Sequence, residues 1–125
     1  MTNPSRLEWS VACSNPGGAI DSFFCTPDEV LDYCGRLLYG NLIFDFTEIS
    51  ITYLRQESGD EPQKMPDFPD QESGFNWAVI VYWKSGEDLV RQLKSKHDVM
   101  GMLIASMERA AIAISVTNFG NTNSS

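Results

Sequence analysis

The run of seven apolar residues from Trp77 to Trp83 is the feature that most constrains the fold of this chain. Successive side chains of a strand point to opposite faces of a sheet, so this run makes both faces of one strand apolar. One face carries Trp77, Val79, Val81 and Trp83, and the other carries Ala78, Ile80 and Tyr82. Such a strand is typical of the centre of a sheet that is covered on both sides, or of a sheet with one face used by a partner.

Three other segments alternate apolar and polar residues with the period of a strand: 7–13, 49–53 and 112–116. Apolar residues at 42–46 have the opposite phase to those at 49–53, which predicts a bulge or break near residues 47–48. Pro16 and Gly17 suit the central positions of a type II turn, so residues 19–25 are expected to return as the second strand of a hairpin.

Two helix starts are indicated by capping residues. Thr26 can cap a helix that begins at Pro27, with Glu29 completing a capping box. Ser85, with Asp88 three residues later, predicts a second helix that continues to about residue 109. The residues that keep helical spacing in this segment are Leu89, Leu93, Met100, Ile104 and Met107, and the segment leaves room for a kink or break near residues 97–98.

These elements predict an α+β fold with a mostly antiparallel sheet of four to five strands and two helices packed on one face. Without the hairpin arm, the order β-α-β-β-α-β is that of a ferredoxin-like fold. The 125 residues are expected to form a single domain, 1–125, with 1–5 and 119–125 frayed at its ends.

The charge is strongly negative and uneven. Seventeen acidic side chains oppose nine lysines and arginines, giving a net charge of −8. Residues 1–75 carry a net charge of −9, and residues 76–125 carry +1. A negative field repels phosphate backbones and speeds encounter with basic proteins, which argues against direct nucleic-acid binding and favours a basic protein partner.

Cofactor and metal motifs are absent from the sequence. Neither GxxxxGK[ST] nor GxGxxG occurs, and three cysteines without a CxxC pair accompany a single histidine, so we expect no cofactor and no zinc site. A set of Cys34, His97 and an acid is a weak candidate for nucleophilic catalysis, and no catalytic residue is assigned. With no signal-like or membrane-spanning apolar run, the prediction is a cytoplasmic protein, away from membranes, with three buried thiols.

The acidic loop at residues 56–75 is the best candidate for a binding segment. It contains three prolines and six acids against one lysine, and loops of this length are usually functional or disordered. An apolar phenylalanine between acids resembles an anchor inside a charged rim. The residues predicted to bind a partner are Asp60, Glu61, Asp67, Phe68, Asp70 and Glu72 in the loop, with Asp28, Glu29 and Asp32 as a second patch. The second patch could also hold Mg²⁺ or Ca²⁺, but a solvated helix face is the simpler interpretation.

Three function classes remain open at this point. The leading hypothesis is a small, non-enzymatic inhibitor of a basic macromolecule, of the immunity-protein, antitoxin or phage anti-defence type. The first alternative is a self-associating structural or assembly module, a homodimer whose surface includes Trp77 and Trp83. The second alternative is a small-ligand-binding protein or enzyme with a pocket between the sheet and the second helix.

Overall fold

The computed structural model describes residues 7–15, 18–39, 47–54, 68 and 70–119. Within these residues the elements are β1 (Trp9–Asn15), β2 (Gly18–Phe24), α1 (Pro27–Tyr39), β3 (Glu48–Tyr53), β4 (Trp77–Tyr82), β5 (Asp88–Leu93), α2 (Lys96–Glu108) and β6 (Ala113–Asn118). The strands form one sheet in the order β2-β1-β3-β6-β4-β5, and each neighbouring pair is antiparallel. The predicted antiparallel α+β architecture is confirmed, with six described strands instead of four to five.

The ferredoxin-like order is not confirmed. The described elements follow the order β-β-α-β-β-β-α-β, which has two strands more than the β-α-β-β-α-β pattern. The predicted hairpin contributes β2, and β5 stands where a helix was expected. These two strands form the two edges of the sheet.

The segment that follows β4 is a hairpin, and the prediction of a helix starting at Ser85 is wrong. Gly86 has a φ of +94°, a conformation that glycine adopts without strain, and it lets the chain reverse. The Trp83 N–H donates to the Glu87 carbonyl across the turn at 3.0 Å. Ser85 therefore precedes a strand, because pairing of β5 with β4 outweighs the local resemblance to a capping box.

The cap of helix α2 lies ten residues later than the predicted cap. Ser95 is the capping residue, and its hydroxyl accepts a hydrogen bond from the Asp98 N–H at 3.2 Å. The buried face of α2 is made by Val99, Leu103 and Met107. Ile104, which was counted with the same helical spacing, is 40% exposed, because that spacing was counted from leucines that belong to β5.

Helix α1 begins as its sequence predicts, with a reciprocal capping box. The Glu29 N–H donates to Thr26 Oγ1 at 3.2 Å, and the Thr26 N–H donates to Glu29 Oε1 at 3.2 Å. The Cys25 N–H also donates to Glu29 Oε1, at 2.9 Å. Glu29 thus satisfies two backbone donors that would otherwise lack partners at the helix start.

Both helices cover the same face of the sheet. The cross-strand registers place the following buried side chains on this face: Trp9, Val11, Cys13, Ile49, Ile51, Val79, Val81, Ile114 and Val116. They form one cluster with the inward residues of both helices, including Val30, Cys34, Val99 and Leu103. We call the opposite side of the sheet the outer face. Ala78 and Ile80 are buried there, which confirms that β4 is covered on both sides.

Helix α2 ends in a Schellman motif with an alanine in the left-handed position. The Ala111 N–H donates to the Ser106 carbonyl, and the Ala110 N–H donates to the Met107 carbonyl, both at 3.1 Å. Ala110 has a φ of +63°, which is unfavourable for a residue with a Cβ atom.

Replacing Ala110 by glycine should therefore raise the free energy of unfolding by about 0.5 to 1 kcal/mol, because glycine adopts this conformation without strain. Ala105→Gly is the matched control, since Ala105 is an exposed position inside the same helix, and it should lower stability by about 1 kcal/mol. Urea unfolding measures both changes. A loss of stability in both variants would contradict the assignment of the helix end.

Candidate functional site

The strand order turns the charge asymmetry of the sequence into a spatial one. The described residues up to Leu54 build β1, β2, α1 and β3, and they carry six acidic side chains and Arg36. We call this region the acidic half; its net charge is −5. Residues 70–119 build the remaining elements with six acids and five basic side chains, for a net charge of −1. Among the described residues, the side of the sheet formed by β2, β1 and β3 is therefore much more negative than the side formed by β6, β4 and β5.

A shallow depression, here called the aromatic hollow, lies between β2 and α1 in the acidic half. It is lined by Phe24, Asp28, Glu29, Asp32, Tyr33 and Arg36. The rings of Phe24 and Tyr33 lie 5.1 Å apart between centroids and are tilted by 41°, and the Ser22 hydroxyl donates to the Tyr33 hydroxyl at 3.3 Å. A depression lined by aromatic rings and carboxylates suits the side chain of a lysine or arginine.

The three carboxylates of this second predicted patch are not equivalent. Glu29 is engaged in the helix cap. Asp32 Oδ2 lies 3.2 Å from Arg36 Nε, but both side chains are largely exposed, so this ion pair is worth little. The side chain of Asp28 makes no hydrogen bond or ion pair within the described part of the chain. Asp28 is therefore the carboxylate most available to an incoming cation.

The predicted loop residues fall into two groups. Asp60, Glu61 and Asp67 lie outside the described residues. Phe68 is half-buried, and both Asp70 and Glu72 are exposed.

The end of the acidic loop is attached to the edge strand β5 through the side chain of Gln92. Gln92 Nε2 donates to the Asp70 carbonyl at 3.0 Å, and Gln92 Oε1 accepts from the Glu72 N–H at 2.9 Å. Since β5 and β2 are opposite edges of the sheet, Asp70 and Glu72 are not brought together with Asp28 and Asp32.

The exposed edge of β2 was not among the predicted site residues. Ile20 is 47% exposed and Phe23 is 51% exposed, with Asp21 between them. The sequence signal for this surface was the Pro16-Gly17 turn, which implied the strand. That signal did not reveal that β2 would be an edge.

The basic side chains near the start of α2 contact aromatic rings. Lys94 Nζ lies 5.5 Å from the Phe75 ring centroid, and Lys96 Nζ lies 5.4 Å from that of Tyr39. In both contacts the lysine ammonium group lies over the face of an aromatic ring. Trp77 and Trp83, considered above as a dimer surface, are half-buried and pack against the core cluster.

The cysteines differ in their burial. Cys13 and Cys34 are buried, but Cys25 is only half-buried, so the prediction of three buried thiols is wrong for Cys25. Burial, with a smaller contribution from the neighbouring Cys13, raises the pKa of the Cys34 thiol to about 12. Burial also raises the pKa of Cys13. Neither thiol is suited to nucleophilic attack at neutral pH, and His97 lies at the exposed start of α2.

Iodoacetamide at pH 8 should therefore modify Cys25 well before Cys13 or Cys34, because the thiolate is the reactive form and the other two thiols keep their protons. Peptide mass mapping of the native protein should show one modified cysteine at early times, and the urea-unfolded protein should show three. Early modification of Cys34 in the native protein would contradict its placement in the core.

A second depression, here called the apolar hollow, lies at one end of the sheet beside the end of α2. Its lining comprises Glu8, Trp9, Pro27, Tyr53, Lys84, Met107, Ala110, Ala111 and Ile112. The rings of Trp9 and Tyr53 are 4.9 Å apart between centroids. The hollow thus lies between strand ends of the sheet and the end of α2.

No group of three or more His, Cys, Asp or Glu side chains in the described ranges is arranged to hold a metal ion. None of the described helices is long and apolar enough to cross a membrane.

No family model matches the chain, and neither the curated proteins nor the solved structures contain a significant match.

Proposed function

We propose that this protein binds a basic macromolecular partner, in the manner of a small inhibitor of the immunity-protein, antitoxin or phage anti-defence type. The observation that carries the proposal is the net charge of −5 on the acidic half, set against −1 on the rest of the described chain. A concentrated field of one sign attracts an oppositely charged partner and orients it before contact.

The aromatic hollow supports this proposal with a specific contact. The side chain of Asp28 lines this hollow and has no partner among the described residues, and the rings of Phe24 and Tyr33 line it as well. A lysine or arginine of the partner would exchange part of its hydration shell for contact with a carboxylate and with aromatic side chains. Such a contact adds specificity to an attraction that is otherwise spread over the surface.

Capture from a lysate of the native host tests the proposal. The tagged full-length protein is incubated at low and at moderate salt, and bound proteins are identified by mass. We expect one basic protein that is retained at low salt and released as salt rises, because screening weakens surface attraction. A neutralised bait, Asp28→Asn with Asp32→Asn, should retain less of it. Recovery of the bait alone, or of a partner that is equally retained by the neutralised bait, would contradict the proposal.

The apolar hollow favours a second candidate function, binding of a small apolar ligand. Trp9 and Tyr53 offer ring surfaces there, next to the aliphatic side chains of Met107 and Ile112. A library of small aromatic compounds screened by thermal unfolding tests this function. Saturable stabilisation that is lost in Met107→Ala would support it, and the absence of any saturable shift would argue against it.

A further inference from the structure

Strand β2 presents the outer edge of the acidic half to solvent. It pairs with β1 on one side, and no described strand pairs with it on the other. An exposed edge is a template for another strand, since its backbone donors and acceptors face outward. We propose that the outer edge of β2 binds an extended, basic segment of a partner protein as an additional strand of the sheet. This inference rests on the proposed function and specifies how the partner docks.

The hydrogen bonds of β1 define which backbone groups of β2 point away from β1, towards the free edge of the sheet. In an antiparallel strand, the N–H and C=O groups of successive residues point alternately to the two sides. The Thr47 N–H donates to the carbonyl of Ser14, a residue of β1, at 2.7 Å, so the backbone groups of the even-numbered residues of β1 point to β3. The odd-numbered residues of β1 therefore face β2, where their register partners are Ile20, Ser22 and Phe24. The backbone groups that point to the free edge of the sheet are therefore those of Ala19, Asp21 and Phe23.

The side chains of β2 indicate the chemistry of the added strand. Asp21 and Phe23 lie on the outer face of the sheet, and Ile20 lies on the other face. Half-exposed Ile20 and Phe23 offer apolar contact on both faces, and Asp21 places a carboxylate between them. A complementary strand carries lysine or arginine opposite Asp21 and apolar residues beside it.

A second copy of the chain is disfavoured as the occupant. Residues 18–24 have Asp21 at their centre, so a two-fold pairing of two β2 strands with full overlap places Asp21 directly opposite itself. Like charges opposite each other destabilise a strand pair, and an acidic residue at an edge is one way in which proteins avoid self-pairing. The same carboxylate attracts a basic strand.

The other edge of the sheet serves as an internal comparison. The outer face of β5 carries Gln92, whose side chain holds the end of the acidic loop, and neighbouring residues include Arg91 and Lys94. The charge around β5 is mixed, so it lacks the selectivity for a basic segment that the acidic half provides. The backbone N–H and C=O of Val90, near the middle of β5, point away from β4, just as those of Ala19 point away from β1.

Amide exchange with a synthetic peptide tests the proposal. The probe is a short peptide of alternating lysine and valine, and the control is the same peptide with glutamate in place of lysine. In the ¹⁵N-labelled full chain, the Ala19, Asp21 and Phe23 amides should exchange about tenfold more slowly at a lysine-peptide concentration of about ten times Kd. The glutamate peptide should leave their exchange unchanged. Ala19→Pro removes one outward donor without changing charge and is tolerated at an edge, so it should weaken binding, whereas Val90→Pro should not.

Asp21→Asn, nearly isosteric with the wild type, provides a second variant that does not depend on proline being accommodated. It should weaken binding of the lysine peptide several-fold. Equal effects of Ala19→Pro and Val90→Pro, or protection of the β2 amides by self-association without peptide, would overturn the inference. Peptide binding at the aromatic hollow without protection of β2 would also overturn it, while leaving the proposed function intact. Failure of the proposed function would instead appear as absence of a basic partner in the lysate capture.

Discussion

Replacing Leu103 by alanine is expected to lower the free energy of unfolding by about 2 to 5 kcal/mol. Leu103 is fully buried in α2 and belongs to the cluster formed by both helices and one face of the sheet. Truncation removes apolar contacts and leaves a cavity that the surrounding strands cannot fill completely. The effect should appear as a lower urea midpoint with an unchanged slope.

Ile104→Ala is the matched control for this prediction. Ile104 is the next residue of the same helix, and its side chain has the same volume as that of leucine. Unlike Leu103, however, Ile104 is 40% exposed. Its truncation should cost less than about 1 kcal/mol, because surface substitutions change stability little. If Ile104→Ala destabilised the protein as much as Leu103→Ala, the orientation of α2 would be wrong.

Neutralising two carboxylates of the acidic half is expected to slow association with the captured basic partner by about three- to tenfold. Electrostatic steering raises association rates by about 10- to 1,000-fold in strongly complementary pairs, and Asp28→Asn with Asp32→Asn removes part of that field. The ion pair of Asp32 with Arg36 is exposed, so its loss should change stability little. Stopped-flow fluorescence measures the association rate, and unfolding curves confirm that the variant is folded.

A charge-matched variant separates local attraction from the effect of total charge. Glu87→Gln with Glu108→Gln changes the net charge by the same amount, but both residues lie in the part of the chain with nearly balanced charge. Glu87 Oε2 accepts a hydrogen bond from the Ser85 hydroxyl, and glutamine retains an acceptor there. This variant should associate at nearly the wild-type rate. Equal slowing by both double variants would show that the acidic half is not the docking surface.

The sequence predicted those parts of the fold that depend on short-range patterns. The capping box at Thr26, the hairpin of β1 and β2 and the burial of both faces of β4 follow from neighbouring residues. The strand at residues 49–53 was also predicted from its alternation, and it forms β3. In each case local propensity and tertiary packing favour the same conformation.

The prediction of a helix at residues 85–93 failed because the local signal was ambiguous. Leu89 and Leu93 are four residues apart, which fits a helix face, but they are also of the same parity, which fits one face of a strand. Pairing of β5 with β4 decides between these alternatives, and that pairing depends on tertiary contacts. The glycine at position 86 was the available signal for a turn.

The candidate site was predicted only in part, because it depends on strand order. The second patch of Asp28, Glu29 and Asp32 was identified as three acids at the start of one helix. The aromatic lining of the hollow could not be predicted, because it requires α1 to lie beside Phe24. The edge position of β2 likewise requires the whole sheet order to be known. Long-range pairing of this kind is not encoded in any local pattern of residues.

The association rate of the wild-type protein with its captured partner, measured as a function of ionic strength, tests the central claim most directly. The Debye length falls from about 30 Å at 0.01 M to about 8 Å at 0.15 M, so attraction by the acidic half should be largely screened over this range. We expect the rate to fall at least tenfold as salt rises, while the dissociation rate changes much less. An association rate that is independent of salt would contradict the claim that the acidic half guides a basic partner to this protein.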